Sequence, residues 1–335
     1  MTSTLNVLVT AASRRVPLVL ALGKALDEAG VRGKVLVTDV NPLSPAVHVA
    51  DGAFAVPLSA DPSYLDVIEA ICVRERIGLV VPTIDDELPL FSSQASRLEA
   101  LGVFVAVSPL DTTAACNDKL ETCVRLRAAG VQAATTYLPA DLPADARFPL
   151  FAKPRFGRGS VGAFRVDSRR HLSFFVDYID SPVLQEYLDG PEYTIDLFCD
   201  RNGTPISIVP RHRVVIRAGV IDRGYTTDDP ALVELGRACA RAFRFLGPIN
   251  VQCRIVSGVP SVFEINPRFS GGIPLTIAAG GDFARWLVDL ALDRPLPAPL
   301  VPFTPHLWVT NYEAGIFLSE DRLSVLRPCP EGPQH

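Results

Sequence analysis

Five short apolar runs, separated by stretches of helical periodicity, constrain the first third of this chain more than any other feature. The runs are Leu5–Thr10, Lys34–Thr38, Ala53–Val56, Gly78–Pro82 and Val103–Val107, and the helical patterns between them span Pro17–Ala29, Pro62–Arg76 and Glu87–Leu101. Strands that are apolar throughout, and joined by helices, pair in parallel and bury both faces, which predicts an open, doubly wound α/β sheet. Such sheets take ligands at the carboxyl ends of their strands. Three segments fall there: Thr10-Ala-Ala-Ser-Arg-Arg15, Asp39-Val-Asn41 and Thr83-Ile-Asp-Asp-Glu87.

A nicotinamide-binding domain is excluded at the first turn, which has no glycine where G-x-G-x-x-G lets a pyrophosphate approach. Ser13, Arg14 and Arg15 instead place hydroxyl and cationic groups beside a helix N-terminus, where an anion is favoured. Asp85, Asp86 and Glu87 fit either an N-terminal helix cap or a site for an ammonium group, with Glu87 the candidate for the second role. At 335 residues the chain suits two or three domains. A net charge of −5 without a basic cluster argues against nucleic acid as a partner. No apolar run reaches membrane-spanning length, and Leu5–Thr10 is too short for a signal-peptide core. Seven cysteines, an odd number with no C-x-x-C pair, read as buried thiols of a cytoplasmic protein.

Beyond Ser108-Pro109 the pattern changes. A helix from about Asp111 to Ala129 carries Asn117-Asp-Lys119, and an Ala/Pro/Asp-rich crossing follows. Leu150-Phe-Ala-Lys-Pro then leads into glycines 157, 159 and 162, and Ala163-Phe-Arg-Val166 reads as a second strand. A strand–glycine loop–strand hairpin can fold over phosphates and donate N–H groups. Lys153 stands on the strand before the loop, whereas a protein kinase carries its lysine on the strand after it. Gln185-Glu-Tyr-Leu-Asp-Gly-Pro-Glu192 ends a strand in a tight turn. Arg211, Arg213 and Arg217 follow at two- and four-residue spacing, on one strand face. That row suits an anionic substrate or a salt-bridged edge strand. Gly219–Thr227 reads as a mobile loop. In Val262-Phe-Glu-Ile-Asn-Pro-Arg-Phe-Ser-Gly-Gly272, period-two alternation points Glu264 and Asn266 to one face. They form a half-site for Mg²⁺, with Arg268 at the strand exit and Gly271 and Gly272 permitting close backbone approach. A hairpin from Asn250-Val-Gln252 sets Gln252 across from Glu264.

E-x-N-P-R-F preceded by N-V-Q, a lysine ahead of a glycine flap, and a hinge ending in G-P-E together resemble the ATP-grasp superfamily, in particular its carbamoyl-phosphate-synthase-like branch. The resemblance runs from the first strand to about residue 315. It implies a pre-ATP-grasp domain over 1–112, a two-lobed α+β ATP-grasp domain over 113–325 with its lid at about 135–187, and a tail over 326–335. Lys119 and Lys153 would reach the ATP phosphates under Gly157, Gly159, Ser160 and Gly162. Backbone groups of Glu186 and Leu188 would pair with adenine, beside Gln185 and Tyr187, and Glu192 would take the ribose hydroxyls. Gln252, Glu264 and Asn266 would hold Mg²⁺, with Mn²⁺ as a substitute. Arg268 would stabilise the transferred phosphoryl group, and Arg213 and Arg217 would contact the phosphorylated substrate. Ser13, Arg14, Arg15, Glu87 and Gly271 would contact an amino-acid-like substrate. The implied activity joins a carboxylate to an amine through an acyl phosphate. A small-acid or carbamate kinase and a nucleotide-binding regulatory module are the alternatives, and a homodimer is the default assembly.

Overall fold

The structure is a computed structural model that describes residues 4–157, 159, 161–320, 323 and 326–327. The chain forms two compact units. The first comprises the residues up to Ser108, Asp282–Ala298 and the segment from Tyr312 onward; the second comprises Pro109–Gly281 and Pro299–Asn311. The chain thus re-enters the first unit twice, which a linear division at residue 112 does not anticipate.

In the first unit the apolar runs become β1 (Asn6–Val9), β2 (Val35–Asp39), β3 (Gly52–Ala55), β4 (Ile77–Val81) and β5 (Phe104–Val105). All pair in parallel in the order β3-β2-β1-β4-β5. The order reverses between β1 and β4, so their carboxyl ends flank the switch-point crevice of the sheet. Leu8, Leu36, Phe54, Tyr64, Ile68 and Phe91 fill its core. The expected helix Glu87–Leu101 is instead a 3₁₀ turn at Asp85–Glu87 followed by helices Leu88–Ser93 and Ala95–Glu99, broken at Gln94. Helix Phe283–Ala291 belongs here: Arg285 and Arg294 donate to the carbonyls of Glu28 and Ala29 at the end of helix Val16–Glu28.

The second unit holds two antiparallel sheets. The smaller consists of β6 (Thr136–Tyr137), β7 (Leu150–Pro154), β8 (Phe164–Val166) and β9 (Pro182–Glu186), in the order β6-β9-β7-β8. The larger runs β14-β13-β10-β11-β12-β15. Its strands are β10 (Glu192–Cys199), β11 (Pro205–Arg217), β12 (Val220–Thr226), β13 (Gly247–Val256), β14 (Val259–Asn266) and β15 (Trp308–Thr310). A last strand, β16 (Leu326–Arg327), lies parallel to β3. One sequence reading is corrected here: the supposed mobile loop at Gly219–Thr227 is strand β12, the hairpin partner of β11, and its Ile221, Gly224 and Thr226 are buried against the sheet.

Alternation along β10 decides which face does what. Ile195 and Leu197 pack into the core with Leu232, Leu235 and Cys239 of helix Pro230–Ala242, while Glu192, Thr194 and Asp196 point to the opposite face. Among the described residues no helix is long and apolar enough to cross a membrane, and six cysteines are buried free thiols.

Candidate active site

The expected helix Asp111–Ala129 breaks at Asp118, whose extended backbone (φ −95°, ψ 107°) separates helix Leu110–Asn117 from helix Lys119–Ala128. The Asp118 carboxylate accepts from the N–H groups of Leu120 and Glu121, as an N-cap does. Its other oxygen takes both Nε (2.9 Å) and Nη2 (2.6 Å) of Arg155, the residue after β7. Asp118 therefore ties the helix start to the root of the glycine loop. Lys119, at the first position of that helix, is buried, and its ammonium donates to the Gly157 carbonyl at 2.7 Å.

β7 and β8 form the hairpin on which the glycine flap is strung. Gly157, Gly159 and Gly162 all adopt positive φ (+106°, +71° and +70°), conformations that only glycine takes without strain. Arg158 and Ser160, the latter expected at the phosphates, lie outside the described residues.

Lys153 is only 4% exposed although its side chain ends in a basic amine. Nζ donates to Gln185 Oε1 at 2.9 Å and to the Phe263 carbonyl at 3.3 Å, joining the small sheet to β14. Burial lowers its pKa first and nearby Lys119 adds to that, while Glu264 and Cys123 act to keep it charged. Two cations and one carboxylate thus share a field. Gln185, expected beside an adenine amino group, is buried, with its amide nitrogen on Thr136 Oγ1 and its oxygen on Lys153. In the hinge, the Glu186 N–H donates to the Thr135 carbonyl at 2.8 Å, so it is committed within the protein. Leu188 is buried and Tyr187 has Arg165 over its ring.

The register of β10, β13 and β14 builds a grid on the polar face. Thr194 lies opposite Gln252, which lies opposite Glu264; one row further on, Asp196, Asn250 and Asn266 line up. Gln252, Glu264 and Asn266 offer one carboxylate and two carboxamides, with Arg268 Nη2 donating to Asn266 Oδ1 at 3.2 Å. This hard-oxygen set fits a divalent ion such as Mg²⁺ that completes its shell with water and phosphate. Among the described residues there is no cluster of three His, Cys, Asp or Glu that could hold a metal unaided.

The arginine row splits. Arg211 is buried in an ion pair with Asp196 (2.8 Å) and Arg213 in one with Glu192 (2.5 Å), while Arg217 is exposed beyond register shifts at Arg213–Ile216 that interrupt the alternation. Burial lowers the Arg213 pKa, with Glu192 acting against it. Glu192 is also held by Arg254 at 2.7 Å, so both its oxygens already carry partners. The close approach permitted at Gly271 and Gly272 serves the protein itself: an added Cβ would meet Val220 (2.8 Å) and the Arg211 guanidinium (2.4 Å) respectively. Gly271 is therefore a packing position. Asp118, Arg155, Asp196 and Arg254 were not singled out in the sequence; the only signal was Asp118 in N-D-K and the alternation of Glu192, Thr194 and Asp196.

In the first unit, Ser13, Arg14 and Arg15 precede helix Val16–Glu28 as expected. Ala11 and Ser13 take left-handed φ (+47° and +42°), a strained turn held by the Ser13 N–H on Asp39 (2.7 Å) and the Thr83 hydroxyl on the Thr10 and Ala11 carbonyls. Arg15 donates to the Thr83 carbonyl across the switch point. Glu87 is not presented to a ligand. It is 2% exposed, with its oxygens on Tyr64 Oη (2.5 Å) and Thr10 Oγ1 (2.7 Å). Burial pushes the Glu87 carboxyl up to about 7, and Asp39 adds to this against both hydrogen bonds.

Comparison with known proteins adds a family to this geometry. Residues 179–314 match the family described as ATP-grasp in the biosynthetic pathway with Ter operon, and residues 7–106 match the PylC-like N-terminal domain. The carbamoyl phosphate synthase large chain of Deinococcus radiodurans is 24% identical over 91% of this chain and 32% of its own length. The arginine-specific large chain of Bacillus subtilis is 24% identical over 75% of this chain and 25% of its own. The chain spans about a third or less of these relatives. Among solved structures, the biotin carboxylase domain of Hydrogenobacter thermophilus 2-oxoglutarate carboxylase, a dimer in complex with MgADP, ADP and bicarbonate, has a TM-score of 0.72 at 14% identity, covering 90% of this chain and 73% of that one. An L-amino acid ligase from Bacillus licheniformis has 0.69 at 20%, covering 87% and 75%. The N5-carboxyaminoimidazole synthetase of Staphylococcus aureus complexed with ADP has 0.70 at 16%, covering 90% and 81%. At these identities the structures share the fold.

Two outcomes follow from the local chemistry. The folded chain keeps the Glu87 proton to about pH 7, whereas the unfolded chain loses it near the ordinary glutamate value of 4.5. Stability therefore falls as pH rises from about 4.5 through 7, by on the order of 3 kcal/mol. Glu87→Gln should flatten that slope in urea unfolding midpoints measured from pH 5 to 8; an unchanged slope would assign it to other groups. Asp118→Ala removes a helix cap and the Arg155 clamp together and should cost about 1–2 kcal/mol in the same assay; an unchanged midpoint would mean that neither the cap nor the clamp contributes to stability.

Proposed function

We propose that this chain, whose residues 179–314 match an ATP-grasp family and whose residues 7–106 match a PylC-like N-terminal domain, is an ADP-forming ligase joining a carboxylate to an amine. The observation that carries this reading is the convergence of Lys119, Lys153 and Glu264 beneath a glycine hairpin, in one electrostatic neighbourhood. A triphosphate is the ligand such a site would neutralise: two ammonium groups from one side and a carboxylate able to share a cation from the other.

ATP would lie between the small sheet and the polar face of the large one, with its adenine at the Glu186–Leu188 hinge and its ribose at Glu192. Glu192 would then exchange one arginine partner for the ribose hydroxyls. Lys119 would leave the Gly157 carbonyl for phosphate oxygens, and Lys153 would be carried by Gln185 into the same charge. Gln252, Glu264 and Asn266 would hold Mg²⁺, which when bound neutralises phosphate charge as the leaving group departs. A substrate carboxylate oxygen attacks the γ-phosphorus in line; the bond to the β-phosphate oxygen breaks and ADP leaves. An amine then attacks the acyl carbon, phosphate departs and the nitrogen loses a proton. The protein positions and neutralises, and Arg268 would bear on the charge that develops.

Within the first unit, Ser13, Arg14 and Arg15 are proposed to bind an anionic group beside their helix N-terminus, whereas the Glu87 oxygens are buried and accept from Tyr64 and Thr10. Lys153→Met and Glu264→Gln should each lower ADP formation at least about a hundredfold with unchanged circular dichroism. Phosphate release that needs both an acid and an amine indicates the ligase. Release with acid alone indicates a kinase, and turnover retained in Glu264→Gln removes the metal set from the mechanism.

A further inference from the structure

Asp196 and Arg211 lie almost wholly out of solvent, with side-chain exposures of 1% and 2%. Removing one partner from such a pair is costly, so the pair is fixed. Every group around the carboxylate donates to it. Oδ2 accepts from Arg211 Nε (2.8 Å), Thr276 Oγ1 (2.5 Å) and Ser270 Oγ (3.3 Å). Oδ1 is left for Asn250 Nδ2 at 3.1 Å. Asn250 stands directly across from Asp196 on the neighbouring strand. Because a carboxylate has no donor, Asn250 must turn its NH₂ toward Asp196 and its oxygen away. That oxygen accepts from Gln252 Nε2 at 3.3 Å. Gln252 and Asn250 are two apart on β13, on one face, and Gln252 is the residue opposite Glu264.

We propose that Asp196, acting through Asn250, is a positioning residue that fixes the Gln252 carboxamide with its oxygen, and not its NH₂, facing the Glu264 side. The two ends of a carboxamide are nearly the same size, so packing alone chooses weakly between them. Only the oxygen can ligate a cation, and the amide end presented to the site would otherwise be set by chance between two rotamers. The buried carboxylate supplies the asymmetry, and two amide groups transmit it over two strands. This inference rests on the proposed metal role of Gln252 and Glu264.

The test is Mn²⁺ affinity of the full chain with saturating ADP, read from the free-ion electron paramagnetic resonance signal. Asn250→Ala leaves the Asp196–Arg211 pair intact and should weaken Mn²⁺ binding about 10–100-fold, with affinity for metal-free ADP unchanged. Gln252→Glu presents an oxygen whichever way it turns. Its gain in Mn²⁺ affinity should therefore be about tenfold larger in the Asn250→Ala background than in the parent. Unchanged affinity in Asn250→Ala, or equal gains from Gln252→Glu in both backgrounds, overturns the relay. Glu264→Gln is the control for the underlying reading. If it too leaves Mn²⁺ affinity unchanged, the metal set falls and the relay with it; if it weakens binding while Asn250→Ala does not, the relay alone falls.

Discussion

The burial of the Lys153 side chain between two sheets is the constraint around which the candidate site of the second unit is arranged. Burying an unpaired charge is prohibitive, so the group must be hydrogen-bonded and electrostatically matched or lose its proton. Lys153 meets this with Gln185, the Phe263 carbonyl and the field of Glu264. Those partners come from β9 and β14, in different sheets, so satisfying the charge also fixes where the small sheet stands against the large one within this unit. Lys119 lies in the same field and acts to lower the Lys153 pKa. A polyanion between them would turn their mutual repulsion into attraction, which is how stored electrostatic cost becomes binding selectivity.

The polar face of the large sheet is organised by alternation and register. On β10 Ile195 and Leu197 pack into the core while Glu192, Thr194 and Asp196 line the polar face, each with a partner across the sheet. Glu192 meets Arg213 and Arg254, Thr194 meets Arg211 and Gln252, and Asp196 meets Asn250. Charges here are buried in matched pairs, and truncating one member of such a pair costs about 3–5 kcal/mol because its partner is left uncompensated. The face is therefore stiff. That suits a reaction in which the protein's task is to hold phosphates and a metal in line rather than to supply a nucleophile.

The doubly wound sheet was legible because β1 to β5 are apolar on both faces, and the facing of Gln252 and Glu264 because a short turn at Ser257–Gly258 leaves a hairpin little choice of register. Other features were not legible, for physical reasons. The break at Asp118 lies inside an unbroken helical pattern; it exists because Arg155, distant in sequence, claims the carboxylate. Arg217 was grouped with Arg213 by counting in twos, and bulges in β11 are invisible to such counting. Glu87 read as the candidate to hold an ammonium group, and nothing near it in sequence announces the partners that bury it. Tyr64 and Thr10, from two other elements, cover it. Gly271 and Gly272 marked close approach correctly, but composition cannot say whether the approaching group is a ligand or, as here, Val220 and Arg211.

Anomalous diffraction from a crystal grown with ADP and Mn²⁺ tests the central claim most directly. The account predicts a Mn²⁺ peak about 2.1–2.2 Å from a Glu264 oxygen, with diphosphate oxygens within hydrogen-bonding reach of both Lys119 and Lys153. Nucleotide bound elsewhere, with Lys153 still held only by Gln185 and Phe263 and no metal at Glu264, would contradict it.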